Sequence, residues 1–315
     1  MGPRVLILGL PYFGKMLEQI LGERGWKARY RPHPGRDPRA WALLLPEVAR
    51  ADLVYLISSR LDRHSPQALL ARFARRPIAI HWVGRDVDFA LEEFRSGRAD
   101  PRLIRRATHL ADAPWLVDEL VETGIRAEYL PLPVPGMPRG DPPPLPRTFR
   151  VLLYYPVHPL DREVYDYPAM VALAREFPGA AFRLIPSPPE TLPEPPPPNV
   201  QAMGWVTDME AVYRETTVYV RLTNHDGTSF MAIEALSRGR YVIWTFPLAG
   251  AARATGFDDA ARIIRALLEQ HNRGELGLNL AGRAAVMEEF DFDSLARKLD
   301  SRLRAAIKRG LREPS

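Results

Sequence analysis

Short apolar, β-branched runs alternate with longer amphipathic stretches along most of the 315-residue chain. In the first half, Arg4 to Leu8 reads as a buried strand, followed by a helix from about Gly14 to Arg24 and a second strand over Lys27 to Arg31. Asp52 to Ile57 predicts a third strand, Pro66 to Arg75 a helix, and Pro77 to Trp82 a fourth strand. Thr108 to Ala111, Ala113 to Gly124 and Ala127 to Leu130 repeat the strand, helix, strand rhythm. Strands separated by helices of this length predict a parallel, doubly wound sheet.

The rhythm breaks at PLPVPGMPRGDPPPLP, residues 131–146. Proline removes backbone donors and fixes φ, so this run cannot be a central strand or a helix interior and reads as a semi-rigid linker. The alternation then restarts. Strands are expected at Phe149 to Tyr155, Ala181 to Ile185, Val200 to Met203, Thr217 to Leu222 and Tyr241 to Thr245. Helices are expected at Pro168 to Glu176, Met209 to Arg214 and Ser229 to Arg238, and from Asp258 onward. A second proline-rich run after Ile185 reads as a surface loop, because the alternation continues on both sides of it. The expected organisation is α/β: two Rossmann-like doubly wound parallel-sheet domains, 1–135 and 149–294, joined by 136–148, with a last helix over 295–315 returning to the first domain. Such sheets bind ligands at the carboxyl ends of their strands, which predicts a cleft between the domains.

Composition narrows the chemistry. Cysteine is absent, which excludes disulfides, thiolate zinc sites and a cysteine nucleophile, and fits a cytoplasmic protein. The start MGPRVLILGLPYFG has too short an apolar run for a secretory signal, and no stretch approaches the ~18 apolar residues of a membrane span. The net charge is +5, and lysine occurs only at positions 15, 27, 298 and 308, so the basic residues are nearly all arginine. The arginine- and proline-rich, cysteine-free composition also fits a thermophile. No basic run with interleaved aromatics marks a nucleic-acid module. The basic tail Arg302, Arg304, Lys308, Arg309 and Arg312 reads as a solvated helix face or as a peripheral contact with an acidic membrane, at its inner face.

The segment VYVRLTNHDGTSFMAIEALSRGRYVI, residues 218–243, carries the most chemistry. A strand ends near Thr223, a polar loop with Gly227 follows, and a helix opens with Thr228 or Ser229 as its cap. A helix start presents amides and a positive dipole end to an anion. Asp226 in the loop can take sugar hydroxyls, and Glu234, eight residues on in the helix, can reach a ribose diol.

DGTSFMAIEALSRG resembles the Glu-x7-Glu region of retaining GT-B-type glycosyltransferases of the family 4 group, whose pattern is E-G-[FT]-[GS]-x-x-x-x-E-A-[LM]-[AS]-x-G before a Val-Ile strand. The resemblance implies a nucleoside-diphosphate sugar of UDP or GDP type as donor and a glycan or glycolipid acceptor. It implies no cofactor and no metal, with the diphosphate held by helix amides and an arginine. It places the ribose on Glu234, the phosphate on Gly227, Thr228 and Ser229, and the transferred sugar on Asp226, one methylene shorter than the family's first acid. Upstream, GWVTD resembles the family's loop over the nucleotide base, which implies a role for Val206 and Asp208; Asp208 also reads as a simple N-cap. The family's Gly-Arg-Leu…Lys-Gly pattern is absent from YYPVHPLDREVYDYP. Arg162 is the nearest basic substitute, followed by His158, with Arg221 and Arg85 from elsewhere.

In the first domain, LGLPYFGKMLEQIL resembles the family's glycine-bearing turn, which places Gly14 near a ligand. His81, Gly84 and Asp86 in IHWVGRDV read as a loop lining the acceptor or sugar side, and the resemblance, whose members often carry a histidine at this strand end, implies that His81 stands beside the reacting centre. A strand-end histidine satisfied within the fold and a capping aspartate are the alternative reading of the same residues. Two other functions remain open on this sequence, a sugar-nucleotide 2-epimerase and a non-catalytic partner subunit of the same fold. The oligomeric state is not encoded in any of these patterns.

Overall fold

The structure of the protein, a computed structural model, describes residues 2–35, 37–73 and 76–312. The expected helix end at Arg75 and the last three positions of the expected 295–315 helix lie outside the described residues. The chain divides into two units. The first comprises Met1–Pro133 with Phe292–Ser315, and the second Val134–Asp291.

The first unit is built on β1 (Arg4–Gly9), β2 (Lys27–Pro32), β3 (Leu53–Ile57), β4 (Ile78–Trp82), β5 (Ala107–Ala111) and β6 (Glu128–Tyr129). They form one six-stranded sheet in the order β2-β1-β3-β4-β5-β6, parallel throughout. Every residue of β3 and β4 is buried, so both faces of the sheet centre are covered, as parallel sheets require. The second unit carries β7 (Arg150–Tyr155), β8 (Ala181–Pro186), β9 (Val200–Ala202), β10 (Val218–Arg221), β11 (Tyr241–Trp244) and β12 (Ala252–Arg253). Their order is β12-β11-β10-β7-β8-β9, again all parallel. The chain reverses its winding between β7 and β10, and that switch point is where an open parallel sheet leaves a crevice for ligand.

Several local expectations change. Helix Pro11–Glu23 starts before Gly14, so Gly14 is helical and not part of the turn. A β-carbon there would meet the Tyr30 ring at 2.2 Å, so Gly14 serves helix-to-sheet packing. The turn glycine is Gly9, with φ +138° and a virtual β-carbon 1.9 Å from the Ile57 carbonyl oxygen. A helix the pattern did not predict spans Pro38–Arg50, capped by Asp37, which accepts from the Arg39 amide at 2.9 Å. Prolines at both 38 and 46 hid it, since an interior proline ordinarily breaks a helix. The expected loop after β4 is a helix, Arg85–Arg95, entered through Gly84 at φ +131°.

The proline-rich stretch is not a free connector. Residues 134–148 belong to the second unit, and side chains hold their carbonyls. Arg240, fully buried, donates from Nη1 to Pro144 O and from Nη2 to Pro143 O, each at 3.1 Å. Arg238 reaches Gly136 O at 3.2 Å, and Arg283 reaches Pro138 O at 3.2 Å and Gly140 O at 2.7 Å. Burial lowers the Arg240 pKa to about 10, the mark of a cation kept out of water for its hydrogen bonds. Arg240→Ala removes both donors from the strap and is expected to destabilise the protein by about 2 kcal/mol in urea unfolding. Arg240→Lys recovers only part of the loss, since an ammonium lacks the planar fork.

Candidate functional site

The carboxyl end of β10 delivers Arg221 into a polar cluster within the second unit. Its guanidinium pairs with Asp226 through both ends, Nε to Oδ2 and Nη2 to Oδ1, the latter at 2.8 Å. The two side chains are only 12% and 13% exposed. The guanidinium also lies over the rings of Tyr154 and Tyr165, 5.2 and 5.0 Å from their centroids. Tyr219, on the same strand face, accepts from Arg221 Nη1 at 3.4 Å and bonds Ser229. Burial raises the pKa values of Tyr154, Tyr165 and Tyr219, so all three stay protonated donors at neutral pH.

The pair fixes the loop that follows β10. Thr223 Oγ1 lies 3.4 Å from Asp226 Oδ2, its amide donates to Thr245 Oγ1 at 3.1 Å, and the Asn224 amide donates to Val164 O at 2.9 Å. Thr223 and Tyr165 form an antiparallel bridge. Gly227 and Ser229 are buried and Thr228 half-buried, and helix Phe230–Ser237 begins with Ser229 Oγ accepting from the Ala232 amide at 3.3 Å. The first turn of any helix leaves amides that the helix itself does not bond.

Glu234 sits on this helix with one oxygen committed: Oε2 accepts from the Tyr213 hydroxyl at 2.6 Å. Burial raises its pKa above the usual carboxylate value, opposed by the Tyr213 hydrogen bond and by Arg238. Arg238 lies over the Tyr213 ring at 4.8 Å, donates to Glu234 O at 2.9 Å and pairs with Glu210 at 2.8 Å. No motif marked Tyr213, because one tyrosine in a short helix carries no spacing signal. Tyr219 was legible only as a residue of a strand, and Arg221 only as one of several arginines available to meet a phosphate.

The remaining candidates fall in different places. Asp208 caps helix Met209–Arg214, accepting from the Ala211 amide at 3.0 Å, and Val206 is half-buried in the loop before it. Arg162 is spent on its own fold: Nε donates to Pro156 O at 2.8 Å, Nη1 to Thr191 O at 2.6 Å and Nη2 to Ser187 Oγ at 3.4 Å, above the Tyr155 ring. These bonds use three of its five donors, so in this structure Arg162 ties its own loop together, and its expected part in holding a diphosphate would rest on the two that remain. In the first unit, Asp86 accepts from the Val83 amide at 3.1 Å and braces the start of helix Arg85–Arg95, with Gly84 as the residue that lets the chain turn in.

His81 is fully buried, and both ring nitrogens are used. Nδ1 accepts from the Tyr55 hydroxyl at 2.7 Å, and Nε2 donates to Leu130 O at 2.8 Å. In this arrangement it holds the end of β4 to the segment after β6 and has no nitrogen left for a substrate, so the expectation of a catalytic histidine is replaced by a structural one. His109 is held similarly, accepting from Trp82 Nε1 at 3.2 Å and donating to Ile104 O at 3.0 Å. No cluster of three or more His, Asp or Glu residues suited to a metal ion occurs among the described residues.

No family profile and no curated protein sequence matches the chain. Solved structures do. The chain is similar to sucrose-phosphate synthase from Thermosynechococcus elongatus, at 12% identity and a TM-score of 0.69, over 96% of this chain and 98% of that one. It is similar to TarM of S. aureus at 12% identity and a TM-score of 0.58, over 84% of this chain and 58% of that one. It is also similar to the N-terminal domain of trehalose-6-phosphate phosphatase from Candida albicans, at 10% identity and a TM-score of 0.58, over 97% of each. Identities this low establish the fold. That fold is two Rossmann-like parallel-sheet domains, and its neighbours include glycosyltransferases of GT-B type.

The buried histidines set an acid limit on the first unit. Burial lowers both His81 and His109 from 6.5 to about 4. Below pH 6.5 the unfolded chain therefore takes up protons that the folded one refuses, and stability falls with pH. Between pH 7 and 5 the loss is expected to reach about 2 kcal/mol for each histidine. Equal urea midpoints at pH 7 and 5 would show that these rings are not held neutral.

Proposed function

We propose that the protein is a retaining glycosyltransferase that moves a sugar from a nucleoside-diphosphate sugar of UDP or GDP type to an acceptor hydroxyl on a glycan or glycolipid. The observation that carries this reading is the meeting of a capped helix start, Glu234 and Arg221 at the switch point of the second sheet. A helix start and a guanidinium suit a diphosphate, and a carboxylate one turn into that helix suits a ribose diol. The fold shared with known glycosyltransferases supports the same class of chemistry.

In this reading the bond between the anomeric carbon and the diphosphate oxygen breaks while the acceptor oxygen bonds to the same face of the sugar. The acceptor proton passes to the departing phosphate oxygen. The fixed dipoles of the helix start stabilise the charge gathering on the diphosphate, and Arg221, bonded to Asp226 and Tyr219, acts by holding that helix start in place. The loop at Val206 and Asp208, beside the exposed Trp205, takes the base. Asp226 reaches a sugar hydroxyl only by giving up a contact with Arg221. That same commitment favours a second reading, a partner subunit that binds donor without turning it over.

Titration calorimetry with UDP- and GDP-sugars tests the donor site. Binding to at least one is expected, weakened about tenfold or more in Glu234→Ala and less in Tyr213→Phe. No binding to any nucleoside-diphosphate sugar, or full affinity in Glu234→Ala, would sink the proposal. Binding with no nucleotide release in the presence of acceptor pools would select the second reading.

A further inference from the structure

Helix Pro38–Arg50 of the first unit presents the wrong kind of face to solvent. Leu44 and Val48 are buried against the sheet, and Trp41 and Glu47 are half-buried beside them. The outward arc consists of Ala42, Leu43, Leu45, Pro46 and Ala49, with Arg39 and Arg50 as its only charged members. Leu43 is 78% exposed and Leu45 58% exposed. A surface helix of a globular protein ordinarily turns charged residues outward, and this one is apolar almost all round. The two arginines sit about 16 Å apart at either end of the arc, given the helical rise per residue.

The C-terminal end of the same helix borders a groove of about 430 Å³ lined by Arg4, Lys27, Arg29, Glu47 and Arg50. Its one acid, Glu47, is already held by Arg31 at 2.7 Å. Arg4, Arg29, Arg39 and Arg50 make no side-chain ion pair among the described residues. An exposed apolar arc thus ends at three arginines, Arg4, Arg29 and Arg50, that make no side-chain ion pair among the described residues. The basic tail expected to meet a membrane is differently placed. Arg302 pairs with Glu128 at 2.6 Å, Arg304 pairs with Asp300 at 2.7 Å and covers Trp26, and Arg309 donates to Thr108 Oγ1. Those arginines are bound to the body of the first unit.

We infer that helix Pro38–Arg50 and the groove beside it form a docking face for an anionic lipid surface, with Leu43 and Leu45 entering the headgroup boundary and Arg4, Arg29, Arg39 and Arg50 meeting lipid phosphates. Two observations favour lipid over a protein partner. The charge flanking the apolar residues is net positive, with Arg4, Arg29, Arg39 and Arg50 outnumbering Asp37 and Asp52, and Glu47 already paired with Arg31, a balance that suits an anionic interface. Two leucines, two alanines and a proline also fall well short of the ~800 Å² per partner that a stable protein interface buries, whereas a bilayer boundary needs no complementary shape. No helix among the described residues is long and apolar enough to cross a membrane, so the contact is a peripheral one. The inference does not depend on the sugar-transfer reading.

Flotation of the full chain with vesicles of phosphatidylcholine, with and without added phosphatidylglycerol, tests it. The protein is expected to float with the anionic vesicles and to be released as salt shortens the screening length from ~10 Å to ~3 Å. Arg39→Ala and Arg50→Ala should each weaken binding about fivefold, and Leu43→Ser with Leu45→Ser about tenfold or more. All four positions are exposed, so melting temperature and donor affinity should not move, which separates this outcome from misfolding. Absence of flotation, or flotation unchanged by the leucine substitutions, overturns the inference. Loss of flotation in Arg302→Ala with Lys308→Ala alone would return the contact to the tail. Concentration-dependent self-association in light scattering, abolished by the leucine substitutions, would assign the face to contact between copies.

Discussion

The ion pair between Arg221 and Asp226 governs the second unit's ligand end. Withdrawing two such charges from water costs several kcal/mol each, and only close bidentate geometry and further partners recover it. Here the partners are present: two tyrosine faces under the guanidinium, the Tyr219 hydroxyl at its edge and Thr223 on the carboxylate. The result is a loop that cannot drift. Because Asp226 is fixed, Ser229 sits where it caps the helix, and because the helix start is fixed, Glu234 stands at a set height above the strand ends. Loss of either partner leaves a buried charge uncompensated, a penalty of about 3–5 kcal/mol. Order of this kind, set before any ligand arrives, is what lets a site act without rearranging.

A second constraint links two features of composition that looked independent. The chain has 32 prolines, each of which keeps its carbonyl but has no amide to offer. A proline-rich segment therefore carries a surplus of acceptors that strands and helices cannot meet. Arginine meets it. Arg240 takes two successive proline carbonyls, Arg238 and Arg283 take those of Gly136, Pro138 and Gly140 in the same strap, and Arg162 ties Pro156 to Thr191. A five-donor planar group suits this work better than an ammonium, which gives a physical reason for a chain with so few lysines. The arginine excess is in part internal structure, and not only a surface charge awaiting a phosphate.

The alternation of apolar runs with amphipathic stretches was enough to foresee two parallel sheets, because a parallel strand buried on both faces announces itself without reference to its neighbours. The helix start after Gly227 was legible for the same local reason, since Asp226, Gly227 and the Ser229 cap lie within four residues of sequence. What the pattern could not show was any partner distant in sequence. Nothing near Arg162 foretells that Thr191 and Ser187 will take its donors, and nothing near His81 foretells Tyr55 and Leu130. Helix Pro38–Arg50 stayed hidden because local propensity spoke against it, while the burial of Leu44 and Val48 decided in its favour. Strand order is likewise a tertiary fact, and with it the switch point that picks out β7 and β10.

The two acids that looked equivalent in the sequence part company once their hydrogen bonds are counted. Asp226 has both oxygens engaged by a cation, so offering one to a hydroxyl means exposing a buried guanidinium. Glu234 has one oxygen on a neutral phenol, and its other oxygen makes no hydrogen bond among the described residues. A carboxylate in that state gains from a pair of hydroxyls and leaves no charge stranded when it takes them. Its raised pKa has the same origin, since burial leaves it short of donors, and a diol would supply them. Of the two acids, Glu234 is therefore the one with an oxygen to offer a further donor, while Asp226 keeps Arg221 and the helix start in position.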